Sequence, residues 1–487
     1  MKTFIKHTIK STLFLGACMA GFLSCSDDDD SSNNQEEIIV QEDLRLDLTA
    51  FTKADAGVMM QAFYWDVEPI GGWYDEVSSK IEDWSASGVN RIWLPAPGKG
   101  ASGQFSMGYD PMDYFDVGEF SQRGAENKET RFGSRQELEN LIQKSHDNGI
   151  EVIADIVLGH NSGGGLQSNP FRGGTEVYSL FNEENGNASG KFNRTNEHFH
   201  PNDIHSNDEQ ALFFAETDLC HDQQYVQDWL WGRDDSVAEF YKNTLGFDGW
   251  RFDYVKSFAP KWVKAWNDKV GGFSVGENFD GNQQVLKDWV DASGSPAFDF
   301  ACFYRLEESL DRNKDLTALG EEGNMLRKIY PDKAVTFTAN HDTEKDENVN
   351  NSISYSNKLL AYSYMLTHDG YPTIFYLDYE NESFKDAIKN LILINRTIAT
   401  GDIEIIEANK DEYIMKRNGN GDNPGLILYM NISNNTKQYE IQTNWSNKTL
   451  VDYANNSKLT PVTNAEGNTT IYAPAGSFSI WSIGKEQ

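Results

Sequence analysis

The sequence predicts an α/β protein, a (β/α)8 TIM barrel with a small irregular domain inserted after strand 3 and a C-terminal antiparallel β domain. Short apolar runs alternate with helical patterns over most of the 487 residues, which is typical of a parallel sheet wrapped in helices. In addition, acidic residues directly follow several of the apolar runs. Carboxylates at the ends of buried strands are costly unless a polar cavity receives them. A barrel provides such a cavity at the carboxyl ends of its strands.

The barrel elements are predicted one by one from local patterns. The first helix carries Val77, Ile81 and Trp84 on one face. The second begins at a capping box formed by Ser134 and Glu137. The predicted strands are Val58–Trp65, Arg91–Leu94, Glu151–Leu158, Asp248–Phe252, Phe273–Val275, Phe298–Cys302, Ala334–Thr338 and Thr373–Tyr376.

The regular alternation is interrupted after the third strand and ends before the C-terminus. From His160 to about Cys220 the chain is rich in Gly, Asn, Pro and His without sustained periodicity, and this stretch is too long for an ordinary loop. From about Asn409, short strands are separated by turn residues, which favours a compact all-β domain. We therefore assign residues 51–160 and 222–405 to the barrel, 161–221 to an inserted domain B and 406–487 to a C-terminal β-sandwich.

The composition is that of an acidic globular protein. The formal net charge is −33, and the chain contains 12 Trp, 21 Tyr and 28 Phe. A nucleic-acid-binding protein needs a basic surface, so the charge argues against a nucleic-acid partner. The aromatic residues suit a protein that binds sugars, although large barrels use many aromatic residues in any case. We expect a monomer.

The first 24 residues are predicted to be a lipoprotein-type signal peptide. Three lysines precede an apolar stretch from Leu13 to Leu23 that is too short to span a bilayer. The stretch ends in Phe22-Leu23-Ser24-Cys25, which resembles a bacterial lipoprotein signal with Cys25 as the lipidated residue. The alternative is an ordinary secretory signal with an incidental cysteine.

Residues 25–50 are predicted to form an acidic tether, because such a segment cannot bury enough apolar surface to fold. The run Asp27–Asp30 lies just after Cys25, and it resembles the signal that sends some bacterial lipoproteins to the cell surface. We therefore expect an exported protein that is anchored to the outer membrane through a lipid on Cys25 and exposed at the cell surface.

Asp253, Glu277 and Asp342 are the acidic residues that follow predicted strands most clearly. Each has an ordinary explanation in isolation, such as the N-cap of the next helix for Asp253 or a solvated loop position for Glu277. Their joint occurrence favours a functional site, since several buried strand-end acids need a shared reason. Two carboxyl groups that flank one sugar ring are the minimal equipment for cleaving a glycosidic bond.

Four motifs carry a family resemblance: Asp155-Ile156-Val157-Leu158-Gly159-His160, Trp250-Arg251-Phe252-Asp253, Val275-Gly276-Glu277 and Ala339-Asn340-His341-Asp342. In this order, at predicted strands three, four, five and seven, they resemble the conserved stretches of the α-amylase family of glycoside hydrolases. The likeness runs from about Val58 to the C-terminus. It is closest to the archaeal-type and plant-type α-amylases, through Gln61–Asp66, Met107–Pro111 and Ala334–Thr343.

The resemblance implies a role for each of these residues. Asp253 would be the nucleophile, Glu277 the general acid and then base, and Asp342 the residue that stabilises the transition state. Asp155 would be structural. The substrate-binding residues would be Tyr109, His160, Arg251, Lys256 and His341.

The resemblance also implies a zinc site and a calcium site in the inserted segment. His200, His205 and Cys220 correspond to the zinc ligands, and two imidazoles with one thiol suit that metal. Asp208 and Asp218 correspond to calcium ligands, and Asn161 nearby would offer a further oxygen, because carboxylate and amide oxygens suit calcium. The alternative is a polar loop that binds no metal.

The chain departs from the family pattern at Gly159, where the family has an Asn that supplies a calcium ligand. Asn161 would replace it only by a local rearrangement. A second departure is Ser257, where many amylases have His.

The resemblance implies an endo-acting hydrolase of α-1,4-glucosidic bonds in starch or glycogen that retains anomeric configuration. One alternative is a surface lipoprotein that binds starch without cutting it. Another is a related α-glucan transglycosylase, because water and a second sugar compete for the same covalent intermediate.

Overall fold

The computed structural model describes residues 44–53, 56–122, 128–205, 213–320, 323–344 and 352–486. These residues belong to a compact unit that runs from Gln41 to the C-terminus. The predicted signal peptide, the tether before residue 44 and Asp208 lie outside the described residues. Within those ranges, no helix combines the length and the apolar character needed to cross a membrane.

In the described part of the chain, eight strands close into a barrel in which neighbouring strands are parallel. The first strand pairs with both the second and the last, which closes the ring. The predicted (β/α)8 fold is therefore confirmed. The strands are β1 Val58–Gln61, β2 Val89–Leu94, β3 Glu151–Ile156, β4 Gly249–Phe252, β5 Phe273–Gly276, β6 Ala297–Phe298, β7 Ala334–Phe337 and β8 Tyr371–Phe375.

The sixth strand is shorter than the sequence predicts. The apolar run Phe298–Cys302 predicts a strand throughout, but β6 ends at Phe298 and a helix begins at Phe300. The Asp299 side chain is the cause, because it accepts the backbone N–H of Cys302 at 2.9 Å and caps the helix. A capping carboxylate thus ends the strand inside a continuous apolar run.

The helices bury the apolar faces that the sequence predicts. Helix Trp73–Ser87 buries Val77, Ile81 and Trp84, and Ser134 and Glu137 form a reciprocal capping box. The other α-helices are Arg135–Asp147, Gln224–Gln227, Val237–Glu239, Pro260–Val270, Gln283–Ser293, Phe300–Glu307, Leu326–Ile329, Lys358–Thr367, Tyr376–Tyr379 and Lys385–Arg396. Segments Asp228–Gly232, Phe240–Leu245 and Glu308–Arg312 are π-helical.

In its described residues, 161–205 and 213–221, the inserted segment contains the hairpin Gly165–Asn169 and Thr175–Leu180 and otherwise only short 3-10 turns and irregular structure. Arg194 attaches it to the barrel. Its buried guanidinium lies 4.5 Å from the ring centroid of Phe181 and 4.4 Å from that of Trp229, and it donates to the Met112 carbonyl at 2.7 Å. The inserted segment is thus fixed by a buried cation between two aromatic rings.

A buried ion pair holds the loop between β2 and the second helix. Lys99 Nζ lies 2.8 Å from Asp116 Oδ2, and both side chains are fully buried. The ammonium also donates to the carbonyls of Phe120 and Lys128, and Asp116 accepts the backbone N–H of Glu119 at 2.9 Å. The lysine head therefore occupies a cage of oxygen atoms of the kind that cations occupy in proteins.

The C-terminal strands pack onto the barrel. A continuous apolar cluster extends from the barrel to Met415, Leu428 and Ile480, and His368 Nε2 lies 2.8 Å from the Tyr413 hydroxyl at this junction. A five-stranded antiparallel sheet consists of Ile403–Ala408, Glu412–Arg417, Leu426–Asn431, Ser477–Ile483 and Leu450–Asp452, and Lys437–Gln442 pairs with Asn468–Ala473.

Candidate active site

Arg251 on β4 contacts acids at the carboxyl ends of neighbouring strands. Its Nη1 lies 2.8 Å from Asp155 Oδ1 on β3 and 2.7 Å from Asp253 Oδ1, directly after β4. Its Nη2 lies 2.5 Å from Glu277 Oε1, directly after β5; this close contact is not an aligned hydrogen bond. The guanidinium is fully buried, so its attraction for these carboxylates is weakly screened.

Asp155 holds Arg251 in place inside the barrel. Trp93 Nε1 and the Tyr109 hydroxyl donate to its Oδ2 at 3.1 and 2.9 Å. Burial raises the pKa of Asp155 to about 6, although Arg251 opposes this effect. With both oxygen atoms engaged, Asp155 orients the arginine and is not positioned to react.

Glu277 lies in surroundings that favour its protonated form. Burial raises its pKa to about 8, Arg251 opposes the rise, and the charges of Asp253 and Asp342 add to it. The backbone N–H of Tyr254 donates to its Oε2 at 3.1 Å. A carboxyl group that keeps its proton near neutral pH can act as a general acid.

Asp342 is presented by a turn after β7. Asn340 Oδ1 accepts the backbone N–H groups of Asp342 and Thr343 at 3.0 and 2.8 Å. Gln61 Nε2 lies 2.8 Å from His341 Nδ1; an amide nitrogen can only donate, so the ring proton of a neutral His341 is on Nε2. That Nε2 lies 3.6 Å from Asp342 Oδ2.

An open cavity of about 350 Å³ lies at the carboxyl end of the barrel and is bordered by Asp253, Glu277 and Asp342. Its walls combine carboxylates with aromatic rings, which is typical of a site for a small organic ligand. The lining residues are Trp65, Tyr109, His160, Phe213, Phe214, Asp253, Tyr254, Glu277, Phe279, His341 and Asp342.

One wall consists of parallel rings. The rings of Trp65, Tyr109 and His341 lie within 5° of parallel, with centroids 5.3 to 5.9 Å apart. His160 also reaches the cavity; its Nε2 lies 3.0 Å from the Tyr109 carbonyl, and burial lowers its pKa. The predicted substrate-binding residues Tyr109, His160 and His341 therefore come together.

Two other predicted substrate-binding residues lie elsewhere. Arg251 is behind the carboxylates and does not line the cavity. Lys256 forms an ion pair with Asp280 at 2.9 Å, with about a third of its side chain exposed, and is also absent from the cavity lining.

His200, His205 and Cys220 lie together in the inserted segment, with one potential ligand atom of each within 4.8 Å of the others. Each imidazole is supported by a carboxylate. His200 Nδ1 lies 2.7 Å from Asp218 Oδ2, and His205 Nε2 lies 2.9 Å from Asp222 Oδ2. Such carboxylate partners orient metal-binding imidazoles, so the residues fit zinc.

The predicted calcium ligands are only partly assembled in the described residues. Asn161 is fully buried, its Nδ2 lies 3.3 Å from the Pro111 carbonyl, and its Oδ1 has no hydrogen-bond partner there. An unsatisfied buried oxygen suits a cation. Asp218, however, is engaged with His200.

The two departures from the family pattern lie next to each other. A Cβ added at Gly159 would come within 2.4 Å of Ser257 Oγ. Ser257 Oγ in turn donates to the Tyr254 carbonyl at 2.9 Å. Asn at position 159 would therefore need the Ser257 side chain to move.

A family model described as "Alpha amylase, catalytic domain" matches residues 51–378, about two thirds of the chain. The chain belongs to the α-amylase family. A second model, "Alpha-amylase C-terminal", matches residues 426–482. An α-amylase-family protein of this architecture is a glycoside hydrolase that acts on α-glucans.

The relatives of this α-amylase-family chain differ in product. It is 26% identical over 491 residues to the α-amylase of Geobacillus stearothermophilus, covering 87% of this chain and 86% of that protein. It is 25% identical to the glucan 1,4-α-maltohexaosidase of Bacillus sp. (strain 707), covering 90% and 94%. The crystal structure of a three-domain cyclomaltodextrin glucanotransferase superposes with a TM-score of 0.63 at 18% identity, covering 89% and 100%; this likeness concerns the fold alone.

Sequence reasoning missed several residues of the α-amylase-family site. Gln61 and Asn340 fix His341 and Asp342 but were not assigned roles, although both lie inside the quoted motifs. Trp65 ends the first predicted strand and also lies inside a quoted motif. Phe213 and Phe214 lie in no motif, and the segment around them lacks the periodicity that would have placed them.

Proposed function

We propose that the protein is an endo-acting α-1,4-glucan hydrolase that retains anomeric configuration. The observation that carries this proposal is the contact of Arg251 with both Asp253 and Glu277, combined with the raised pKa of Glu277. Two carboxyl groups that share one guanidinium at one cavity, one of them with a raised pKa, support a retaining mechanism.

In the first step, Glu277 gives its proton to the glycosidic oxygen. The bond from C1 to that oxygen breaks, and Asp253 forms a covalent bond to C1. In the second step, Glu277 takes a proton from water, the water oxygen bonds to C1, and Asp253 leaves. Asp342 holds the sugar hydroxyls and stabilises the positively charged transition state.

The test is reducing-end release from soluble starch by the full chain and its Glu277→Gln variant. We expect the variant to lose roughly 10²- to 10⁴-fold in kcat but to retain cleavage of α-maltotriosyl fluoride to the glycosyl-enzyme, because fluoride leaves without a proton. Asp253→Asn should lose both activities. A wild-type chain that binds starch but cleaves neither substrate would favour the non-catalytic binding lipoprotein.

Two further measurements define the reaction. Amylose viscosity that falls faster than reducing ends appear indicates endo attack, and NMR of the first product reports whether the α anomer is retained. Transglycosylation is the second candidate, favoured by exposed aromatic rings at the cavity that suit an acceptor sugar. Longer products in the presence of excess maltose would support it.

Zinc bound by His200, His205 and Cys220 would cross-link the inserted segment. This site supports the proposed kinship with archaeal-type and plant-type α-amylases. Calcium held by Asn161, with Asp218 and Asp208, belongs to the same proposal. Metal analysis of the purified chain, with and without Cys220→Ser, tests the zinc assignment.

The proposed location is the outer surface of a bacterial outer membrane, through a lipid on Cys25. The support is the motif Phe22–Cys25 and the acidic run that follows it. Labelling of the expressed chain with radioactive palmitate, lost in Cys25→Ser, tests the anchor. Digestion by protease added to intact cells tests surface exposure. Size-exclusion chromatography with light scattering tests the expected monomer.

A further inference from the structure

A buried lysine contacts the turn that carries Asp342. Lys358 begins the helix Lys358–Thr367 and is 3% exposed. Its ammonium contacts Glu344 Oε1 and lies 3.2 Å from Asp378 Oδ2. None of these three residues lines the cavity that the reacting acids border. Any effect of Lys358 on a sugar bound there must therefore pass through another residue.

The turn is a tightly bonded unit that ends at Glu344. The Asn340 side chain accepts the backbone N–H groups of Asp342 and Thr343. The Asn340 carbonyl accepts the N–H of Glu344 at 3.1 Å, and the Asn340 N–H donates to the Thr343 hydroxyl at 2.9 Å. Because these bonds tie both ends of the turn together, a shift of Glu344 would move Asp342 with it.

The second partner of the ammonium is fixed to the barrel. Asp378 lies in the helix Tyr376–Tyr379, which follows β8 directly. Its side chain is 7% exposed, and its Oδ2 accepts the Tyr362 hydroxyl at 2.8 Å. Tyr362 belongs to the same helix as Lys358. The ammonium thus connects the Asp342 turn, after β7, to a fixed carboxylate after β8.

The cost of burying this lysine indicates a function for it. A lysine is almost never fully buried unless it is paired, and a buried ion pair is often no more stabilising than apolar residues that fill the same space. Burial also raises the pKa of Glu344, an effect that Lys358 opposes. Stability of the fold alone therefore does not account for the lysine, whereas a directional contact that fixes the turn does.

We propose that Lys358 is a positioning residue that holds Glu344 beside Asp378, so that the turn presents the Asp342 carboxylate to the sugar in the transition state. This inference rests on the proposed function, in which Asp342 stabilises that state. It deepens the proposed function by naming a residue outside the cavity on which the role of Asp342 depends.

The test is a double-mutant cycle between Lys358→Met and Asp342→Asn in the full chain. The substrate is α-maltotriosyl fluoride, because its good leaving group keeps slow variants measurable. For Lys358→Met alone we expect kcat to fall on the order of 10- to 100-fold, since a small misplacement of a reacting group costs that much, and KM to stay within about threefold. In the Asp342→Asn background the same change should cost less than about threefold, because the carboxylate through which it acts is missing.

Two further variants separate positioning from stability. Lys358→Arg keeps the positive charge and should retain more of kcat than Lys358→Met. Glu344→Gln weakens the contact with the turn but leaves the pair of Lys358 and Asp378 in place, so it decides the question even if Lys358→Met does not fold. Its loss of kcat should also largely disappear in the Asp342→Asn background.

Lys416→Met is the matched control. Lys416 is 8% exposed, its Nζ lies 2.7 Å from Glu404 Oε2 in the C-terminal sheet, and it does not line the cavity. The variant therefore also loses a buried, paired lysine. It should leave kcat and KM unchanged, whatever its effect on Tm.

Equal losses in the two backgrounds would overturn the proposal, because Lys358 would then act independently of Asp342. A lower Tm with unchanged kcat, or a raised KM alone, would also overturn it. A wild-type chain inactive on the fluoride would instead overturn the proposed function, and full activity of Asp342→Asn would overturn the role proposed for Asp342.

Discussion

At the scale of single residues, the protonation of Glu277 governs the proposed chemistry. Asp342 is one of the charges that raise the pKa of Glu277, because a nearby negative charge disfavours a second one. Since the acid must be protonated, kcat/KM should fall as pH rises through this pKa. Removing the Asp342 charge lowers the pKa of Glu277, so Asp342→Asn should move the alkaline limb to lower pH.

The measurement is kcat/KM for maltoheptaose against pH in the wild type and in the residual activity of Asp342→Asn. Asp280→Asn is the control, because that carboxylate is paired with Lys256 and does not line the cavity. A limb that stays in place in Asp342→Asn, or moves to higher pH, would contradict the electrostatic assignment.

The sequence predicted the position of the strand-end acids at the cavity better than that of their supports. Asp253, Glu277 and Asp342 follow buried strands, so strand order alone brought them to one end of the barrel. Gln61 acts by orienting a ring, and an uncharged amide on a buried strand carries no such pattern. Lys256 was predicted to bind the substrate, whereas in the structure it pairs with Asp280. The sequence could not indicate this pair, because Asp280 comes from a different loop.

At the scale of elements, we expect the stability of the inserted segment to depend on metal bound at His200, His205 and Cys220. Cys220 is fully buried beside His200 and His205, and a metal that binds the folded form alone stabilises it by mass action. Cys220→Ser should therefore lower Tm by several degrees. The turnover of the protein that remains folded should change little. A chelator that is selective for zinc over calcium should lower Tm in the wild type but not further in the variant.

Differential scanning calorimetry with and without chelator provides the measurement. Cys302→Ser is the matched control, because Cys302 is a buried free thiol in a barrel helix. Its effect on Tm should be the same with and without chelator. Equal Tm values for the wild type and Cys220→Ser would exclude a structural metal.

The loop between β2 and the second helix is held by the buried ammonium group of Lys99. Removing one partner of a buried ion pair leaves the other charge uncompensated, at a cost of roughly 3–5 kcal/mol. Lys99→Met should lower the free energy of unfolding by about that amount, because Asp116 stays buried. Urea denaturation measures this.

The double variant Lys99→Met/Asp116→Asn removes both charges and should recover part of the loss. A double variant that is less stable than Lys99→Met by the full cost of a second independent mutation would show that the pair is not coupled.

Element boundaries were predictable where one local signal dominated. The helix from Arg135 begins at the predicted capping box. The sixth strand was overestimated because Asp299 caps a helix inside an apolar run. The hairpin of the inserted segment was not predicted, since its exposed strands carry no regular apolar alternation.

At the scale of the whole molecule, the C-terminal sheet completes the barrel's core. Met415, Leu428 and Ile480 belong to the same apolar cluster as the barrel helices. Removing residues 403–487 would expose that face, so the truncated chain should be insoluble or bind the dye ANS strongly. A soluble, cooperatively unfolding chain without residues 403–487 would contradict this prediction.

Removing residues 1–43, the predicted signal and most of the tether, is the control and should leave Tm unchanged.

The pattern of strands predicted this overall arrangement, but not the packing between its parts. Alternating apolar runs identify a barrel and a β domain separately. Which faces meet depends on pairs such as His368 with Tyr413, which are 45 residues apart in the chain and not linked by any local pattern.

Arg251 constrains how such a protein can evolve. Its guanidinium contacts acids that come from β3, β4 and β5, so the charge that would support the proposed reaction also makes the strand ends compatible with burial. A lineage that drifts toward a non-catalytic glucan receptor cannot lose the arginine before its acids, because that loss leaves buried carboxylates without a counter-charge. We expect such descendants to replace the arginine and its acids together, or to keep all of them long after selection for catalysis has ended.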